Sequence, residues 1–405
     1  MTARATLLER AVGWRQGVVA ELRAVPRGVA DVPLAGWAAV AEPFGHGGTS
    51  GGAAPDDGGA RTAALAEALE RYAAGRFPLS GDQAPPGAPC WRLGEFSLHS
   101  AAQRARRGFP HPGYRDPGAT LAWTLPGNTE VWVPAGLVGL RPEPGLPATS
   151  SGLAAETSVV RALLRATQEL VERDAFTVAW LHGLAPARVP VPEDLAAPVR
   201  RLGGTIAALD LTPAYSPHPV LAVAGTLPLG GRERATLGLA CRADPAEALA
   251  KAWREWCQGT VFLSVWLAEH GSAPLEPHDV TGFDRHAAFY TGRPDRWAAL
   301  PWWRGPERSA PGRSAAAGTG AAAELAELTG ALTAAGIRLA YRELTTPELA
   351  ATGIRAVRVL SPELVPLHAD HRWPHLGGTC PDLARRFPGA AGHTPFPNPD
   401  PHPLG

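Results

Sequence analysis

Apolar residues return every three or four positions in three long stretches of the chain. In RTAALAEALERYAAGRF, residues 61–77, Leu65, Ala68, Leu69 and Tyr72 fall on one helical face. In VVRALLRATQELVERDAFTVAWLHG, residues 159–183, Leu163, Leu164, Thr167, Leu170 and Val171 make the same kind of stripe. The third stretch, PAEALAKAWREWCQGTVFLSVWLAEH, opens at Pro245 with Asp244 placed to cap it, since aspartate before a proline in the first turn marks a helix start. A shorter helix is predicted at about 321–335. Strands are predicted for GTIAALDLT, HPVLAVAGTL, RATLGLACR, IRLAYREL and IRAVRVLSPEL, and TEVWVPAGLVGL (129–140) reads as a strand entering a turn.

Glycine and proline punctuate the rest. Residues 43–60, PFGHGGTSGGAAPDDGGA, read as a Gly-rich loop that holds no regular element, and residues 78–115 as connection. Residues 305–320, in which SAAAGTGAAA begins, read as a surface loop, and the chain closes on NPDPHPLG. Interleaved helices and strands predict an α+β class. No compositional break divides the chain, so a single domain over 1–405 is expected, with a core at 8–390 and a Pro-rich tail at 391–405.

Lys+Arg and Asp+Glu number 38 each, so the chain lacks the basic excess of a nucleic-acid or anionic-membrane binder. No window resembles a membrane span or a secretory signal, and a cytoplasmic protein is expected. Cys90, Cys241, Cys257 and Cys380 are widely separated without metal-binding spacing, which predicts free thiols.

Each long helix carries acids three residues apart. The first has Glu67 and Glu70 followed by Arg71; the second has Glu169 and Glu172 followed by Arg173; the third has Glu255 and Gln258. Such pairs project from one helical face. Taken singly, each pair fits a solvated acidic face. Taken together, they fit a carboxylate cage, whose mutual repulsion calls for a cation. Mg²⁺ prefers hard oxygen ligands and is usually shared with phosphate, and the arginines can pair with phosphate or orient the acids. The upstream Gly-rich loop lacks Walker spacing and a following lysine.

The phrases ALAEALERYAAG and ATSSGLAAETSVVRALLRATQELVERDAF resemble the YcaO family, whose motifs read roughly SALxEAxERY and SNGxAxGxxxEEAxxxALxExxERDA. LGLACRADPAEALAKAWREWCQ, FDRHAAFYTGRP and the block from Tyr341 to Gly378 are similar to later family segments, so the likeness runs from about residue 8 to 405. The resemblance implies a YcaO fold, with three long helices around an ATP–Mg²⁺ site and the Pro-rich tail reaching that site. It implies activation of backbone amides in a ribosomally made precursor peptide, converting Cys, Ser or Thr to thiazoline or oxazoline. Glu67, Glu70, Glu169 and Glu172 would hold Mg²⁺; these acids with His46, Arg71, Ser151, Arg173, Glu255 and Gln258 would bind the nucleotide. A separate winged-helix or ThiF-like partner would recruit the leader peptide, because nothing before residue 43 is long enough to do so, and a homodimer is implied.

Several positions depart from the family pattern. His46 stands for a lysine, Ala63 for a serine, Ser151 for an asparagine and Glu156 for a glycine, while Val160 and Arg161 replace paired glutamates. An active cyclodehydratase is one reading; an attenuated YcaO-like subunit that scaffolds a complex is another. Thioamide or amidine formation uses the same activation with a different nucleophile. In the tail, Pro399, Pro401 and Pro403 alternate, which makes a stiff rod. By resemblance, Pro401, Pro403 and Gly405 belong to the catalytic site, Gly405 carrying a terminal carboxylate as candidate base. HADHRWPH puts His368, His371 and His375 at a spacing zinc can use, but the family segment there is a strand-to-loop connection without metal.

Overall fold

The computed structural model describes residues 9–13, 17–41, 49–79, 81–111, 118–140, 146 and 149–405. Among them, three antiparallel sheets surround the long helices. The first joins β1 (Val19–Ala24), β2 (Ala35–Ala41) and β3 (Thr49–Ala54) in that order. The second has the order β5-β4-β11-β12-β6, from β4 (Ala119–Thr124), β5 (Glu130–Pro134), β6 (Leu153–Glu156), β11 (Ala340–Glu343) and β12 (Arg355–Leu360). The third has the order β10-β9-β8-β7, from β7 (Ala187–Val189), β8 (Thr205–Asp210), β9 (Val220–Leu229) and β10 (Arg232–Cys241).

The predicted long helices are α1 (Asp57–Arg76), α2 (Val159–Leu181) and α3 (Pro245–His270), with α4 at Ala321–Ala334. Asp244 caps α3 by accepting a hydrogen bond from the Ala246 N–H at 2.8 Å. Leu65, Ala68 and Leu69 of α1 are buried, and so are the five stripe residues of α2. Each fully buried leucine contributes roughly 1.5–3 kcal/mol of transfer free energy. From Asp174 to Leu181 every residue of α2 is buried, because sheets, α4 and the C-terminal tail enclose it. No helix among the described residues is long and apolar enough to cross a membrane.

Helix α1 lies on β2 and β3 and touches β6 and β12; α3 lies on β9 and β10 and reaches β3; α2 meets β6, β12 and β10. The helices are therefore located against one another through shared strands.

The glycine-rich stretch is corrected by the structure. It contains β3 and the first turn of α1, which Asp56 caps by accepting from the Gly59 N–H at 2.9 Å. Glycine is needed here for close packing: a Cβ on Gly52 would lie 2.3 Å from the Ala60 carbonyl oxygen and the Ala64 nitrogen. The supposed connection at 78–115 contains the short helix Ala101–Ala105, capped by Ser100, which accepts from the Gln103 N–H. β1, β2, β4 and β7 carry no periodic signal long enough to announce them.

Candidate functional site

Glu67 and Glu70 from α1, Glu169 and Glu172 from α2, and Glu255 from α3 share one recess. Edge strands hold three of them. β3 and β10 end their sheets, so some of their outward N–H groups lack a strand partner. Gly51 N–H donates to Glu67 Oε2 at 3.1 Å, Leu239 N–H to Glu255 Oε2 at 3.2 Å, and Cys241 N–H to Glu172 Oε2 at 3.1 Å. The second oxygen of each acid faces a base. Arg71 Nη2 donates to Glu67 Oε1 at 2.6 Å and Lys251 Nζ to Glu255 Oε1, while Arg173 Nε stands 3.7 Å from Glu172 Oε1 and 3.9 Å from Glu169 Oε1. The recess is part-open: the Glu67 and Glu255 side chains are 31% exposed, whereas that of Glu172 is 4% exposed.

Crowding shows in the ionisation of these groups. Burial, with Glu169 and Glu67 close by, pushes Glu70 up to about 8. Burial and the neighbouring Glu255 push Glu172 up to about 7, and burial raises Glu67 and Glu169 as well. Burial also acts upward on Glu255, but the Lys251 ammonium outweighs it and holds this carboxyl below its ordinary range. Among the described residues these carboxylates do not form a group of three ready to hold a metal ion by themselves. Mg²⁺ is usually held by carboxylates together with substrate phosphates rather than by an all-protein cage. Hard oxygen donors whose repulsion the local bases relieve only in part fit that cation.

Two cations escaped the sequence reading. Lys251 stands four residues before Glu255, a spacing that had marked it. Arg358 on β12 had no such signal. It is 1% exposed, donates from Nε to the Leu137 carbonyl and from Nη2 to the Thr149 carbonyl, and has no hydrogen-bond partner for Nη1 among the described residues. Burial holds it down at about 10, against the opposing pull of Glu169 and Glu70.

Ser151 is buried and accepts from Thr149 Oγ1 at 3.0 Å, which links it to Arg358 through the Thr149 carbonyl. Gln258 borders Gly51: a Cβ on that glycine would come within 2.7 Å of Gln258 Nε2. His46 lies outside the described residues. The departures at Glu156 and Arg161 meet as an ion pair of 3.5 Å between the end of β6 and the first turn of α2.

The tail is packed, not loose. Asn398 N–H donates to the Leu181 carbonyl at 2.8 Å, Trp180 Nε1 to the Asp400 carbonyl at 3.1 Å, and Tyr290 Oη to the Pro401 carbonyl at 2.9 Å. Pro401, Pro403 and Leu404 are buried; Gly405 is exposed and abuts the helix Phe283–Phe289. Burial, His286 and the charge of Arg173 all act on His402, so this part of the tail lies within electrostatic range of the recess.

Three antiparallel sheets and an acid set gathered from three helices define an α+β protein with a recess suited to a cation and phosphate. A family profile described as YcaO cyclodehydratase, ATP- and Mg²⁺-binding, matches residues 51–365, and the chain belongs to the YcaO family. ATP and Mg²⁺ are therefore its cofactors. No curated protein sequence matches the chain.

Solved structures share the fold. A heterocyclase in complex with substrate and cofactor is 20% identical with a TM-score of 0.74, over 96% of this chain and 57% of that one, so the chain spans little more than half of that relative. YcaO from Methanopyrus kandleri bound with AMPPCP and Mg²⁺ is 20% identical, TM-score 0.66, over 92% of this chain and 91% of that one. A chain of the E. coli microcin synthetase McbBCD complex is 14% identical, TM-score 0.65, over 91% and 95%.

Proposed function

We propose that the protein forms azolines, using ATP to activate backbone amides of a ribosomal precursor peptide for attack by Cys, Ser or Thr side chains. The observation that carries this reading is the meeting of five glutamates from three helices in one part-open recess, two of them raised to about 8 and about 7. Glu67, Glu70, Glu169 and Glu172 would hold Mg²⁺. Arg71 and Arg173 orient these acids and meet phosphate, and Ser151, Glu255 and Gln258, with His46, complete the nucleotide contacts. When bound, ATP supplies a phosphate leaving group for the amide oxygen, in place of hydroxide. Edge-strand amides keep Glu67, Glu172 and Glu255 oriented without spending their second oxygens.

The tail from Asn398 through Pro401 and Pro403 to Gly405 borders the site in this reading, supported by its burial along α2 and by the charge of Arg173 acting on His402. A winged-helix or ThiF-like partner presents the leader peptide, and the enzyme works as a homodimer in the cytoplasm. The related complexes with substrate or with pro-MccB17 bound lend support to a peptide substrate and partner proteins.

The test is reconstitution with precursor peptide and partner, read by mass spectrometry and phosphate release. One water mass lost per ring, with release abolished by Glu67→Ala, is expected. Exchange of oxygen for sulfur in the product indicates thioamidation instead. The Glu156–Arg161 pair, which sets a base where relatives carry an acid, favours the scaffold reading as the runner-up. Partner binding without any calorimetric ATP binding establishes that reading and ends the proposal.

A further inference from the structure

The helix Phe283–Phe289, the segment after β12 and the tail each deliver one histidine to a common point. A ring nitrogen from each of His286, His368 and His402 lies within 4.8 Å of the other two. The residues are 0%, 3% and 1% exposed. His286 and His402 stack with ring centroids 3.7 Å apart, and His368 stands edge-on to both at 5.7 and 4.8 Å.

Hydrogen bonding sets where the protons are. Carbonyl oxygens only accept, so His286 Nδ1–H donates to the His402 carbonyl at 3.0 Å and His402 Nε2–H to the His368 carbonyl at 2.9 Å. A neutral imidazole has one N–H, which leaves His286 Nε2 and His402 Nδ1 as bare lone pairs. Neither of these atoms, nor His368 Nδ1, has a hydrogen-bond partner among the described residues. The Ala369 carbonyl, another acceptor, also faces His286. Unpaired buried polar atoms are costly, and both His286 Nε2 and His402 Nδ1 turn a lone pair into this cluster.

We propose that His286, His368 and His402 bind a divalent transition-metal ion, Zn²⁺ by its fit to three imidazoles, which clasps the tail to the body of the protein. Imidazole ligands without carboxylate or thiolate select such an ion over Mg²⁺. The two carbonyls already holding the remote N–H groups of His286 and His402 are the partners that metal-ligating histidines ordinarily have. Zn–N bonds of about 2.0–2.1 Å put tetrahedral nitrogens about 3.3 Å apart, so the rings must draw in by up to about 1.5 Å, with His402 tilting out of its stack. None of its three ligands is a residue of the glutamate recess, and metal binding is read here without nucleotide.

The probe is Co²⁺, titrated without nucleotide into chelator-treated full-length protein in excess Mg²⁺. One equivalent with the visible absorption of a tetrahedral site, displaced by Zn²⁺, is expected. His286→Gln, His368→Gln and His402→Gln should each lower affinity at least 10-fold with unchanged circular dichroism, while Glu172→Gln keeps it. Absence of the absorption in the unaltered protein overturns the proposal without reference to any variant. Equal Co²⁺ affinity in the His402→Gln protein, or loss in the Glu172→Gln protein, overturns it too.

Discussion

Two acids on α2, two residues apart, meet opposite electrostatic fates. Asp174 is closed off completely. Arg386 donates to it from Nη2 at 2.7 Å and Nε at 3.0 Å, the Val365 N–H adds a bond of 2.8 Å, and Tyr215 Oη donates as well; neither Asp174 nor Arg386 has an exposed side chain. Glu172 has one oxygen on the Cys241 N–H and the other 3.7 Å from Arg173, with Glu169 and Glu255 acting on it. The fold can satisfy a buried acid fully, and does so two residues along the same helix. The unrelieved repulsion in the recess is therefore a property of that place, and it matches a place that takes up a cation.

The contrast breaks most sharply at Asp174. Asp174→Asn leaves the Arg386 charge buried without its partner and should cost about 3–5 kcal/mol in denaturant unfolding; a cost under about 1 kcal/mol would erase the distinction. Glu70→Gln should do the reverse. Stability without Mg²⁺ is held or raised at pH 8, while Mg²⁺-dependent ATP turnover falls on the order of 100-fold.

The pH dependence sharpens the same point. Glu70 and Glu172 titrate near 8 and 7 in the folded protein against 4.5 ordinarily. Between those values the folded state holds more protons than the unfolded one, so stability falls as pH rises. Above about pH 6.5, where the buried histidines are neutral in the folded and unfolded states alike, melting temperature without Mg²⁺ should decline towards pH 8, and Mg²⁺ with nucleotide should flatten that slope. The smallest effect is expected at a helix end: Asp244→Ala removes the α3 cap and should cost about 1 kcal/mol in the same unfolding assay.

The acid-bearing helices were legible because i, i+3 pairs on Ala- and Leu-rich helices are local patterns. Glu67, Glu70, Glu169, Glu172 and Glu255 announced themselves, and Asp244 announced its helix. What brings them together was not local. Arg358 arrives on a strand after the rest of the sheet has been laid down, and nothing around it in RAVRVL distinguishes an inward arginine from an outward one. His286 and His402 are 116 residues apart, and only the docked tail unites them. The strand β3 was hidden for a different reason. Its sequence, TSGGAA, has low β-propensity, and its pairing with β2 overrides that preference.

Gly52 has no functional group, yet it sets a dimension of the recess. With no side chain there, α1 rests directly on the backbone of β3, and a single methyl group would collide with three of its backbone atoms. A methyl at position 52 would force α1 and β3 apart, and so change where Glu67 and Glu70 stand relative to the acids of α2 and α3. The glycine acts as a shim of zero thickness, and replacing it with residues of graded size is a direct way to vary the width of the recess without touching an acid.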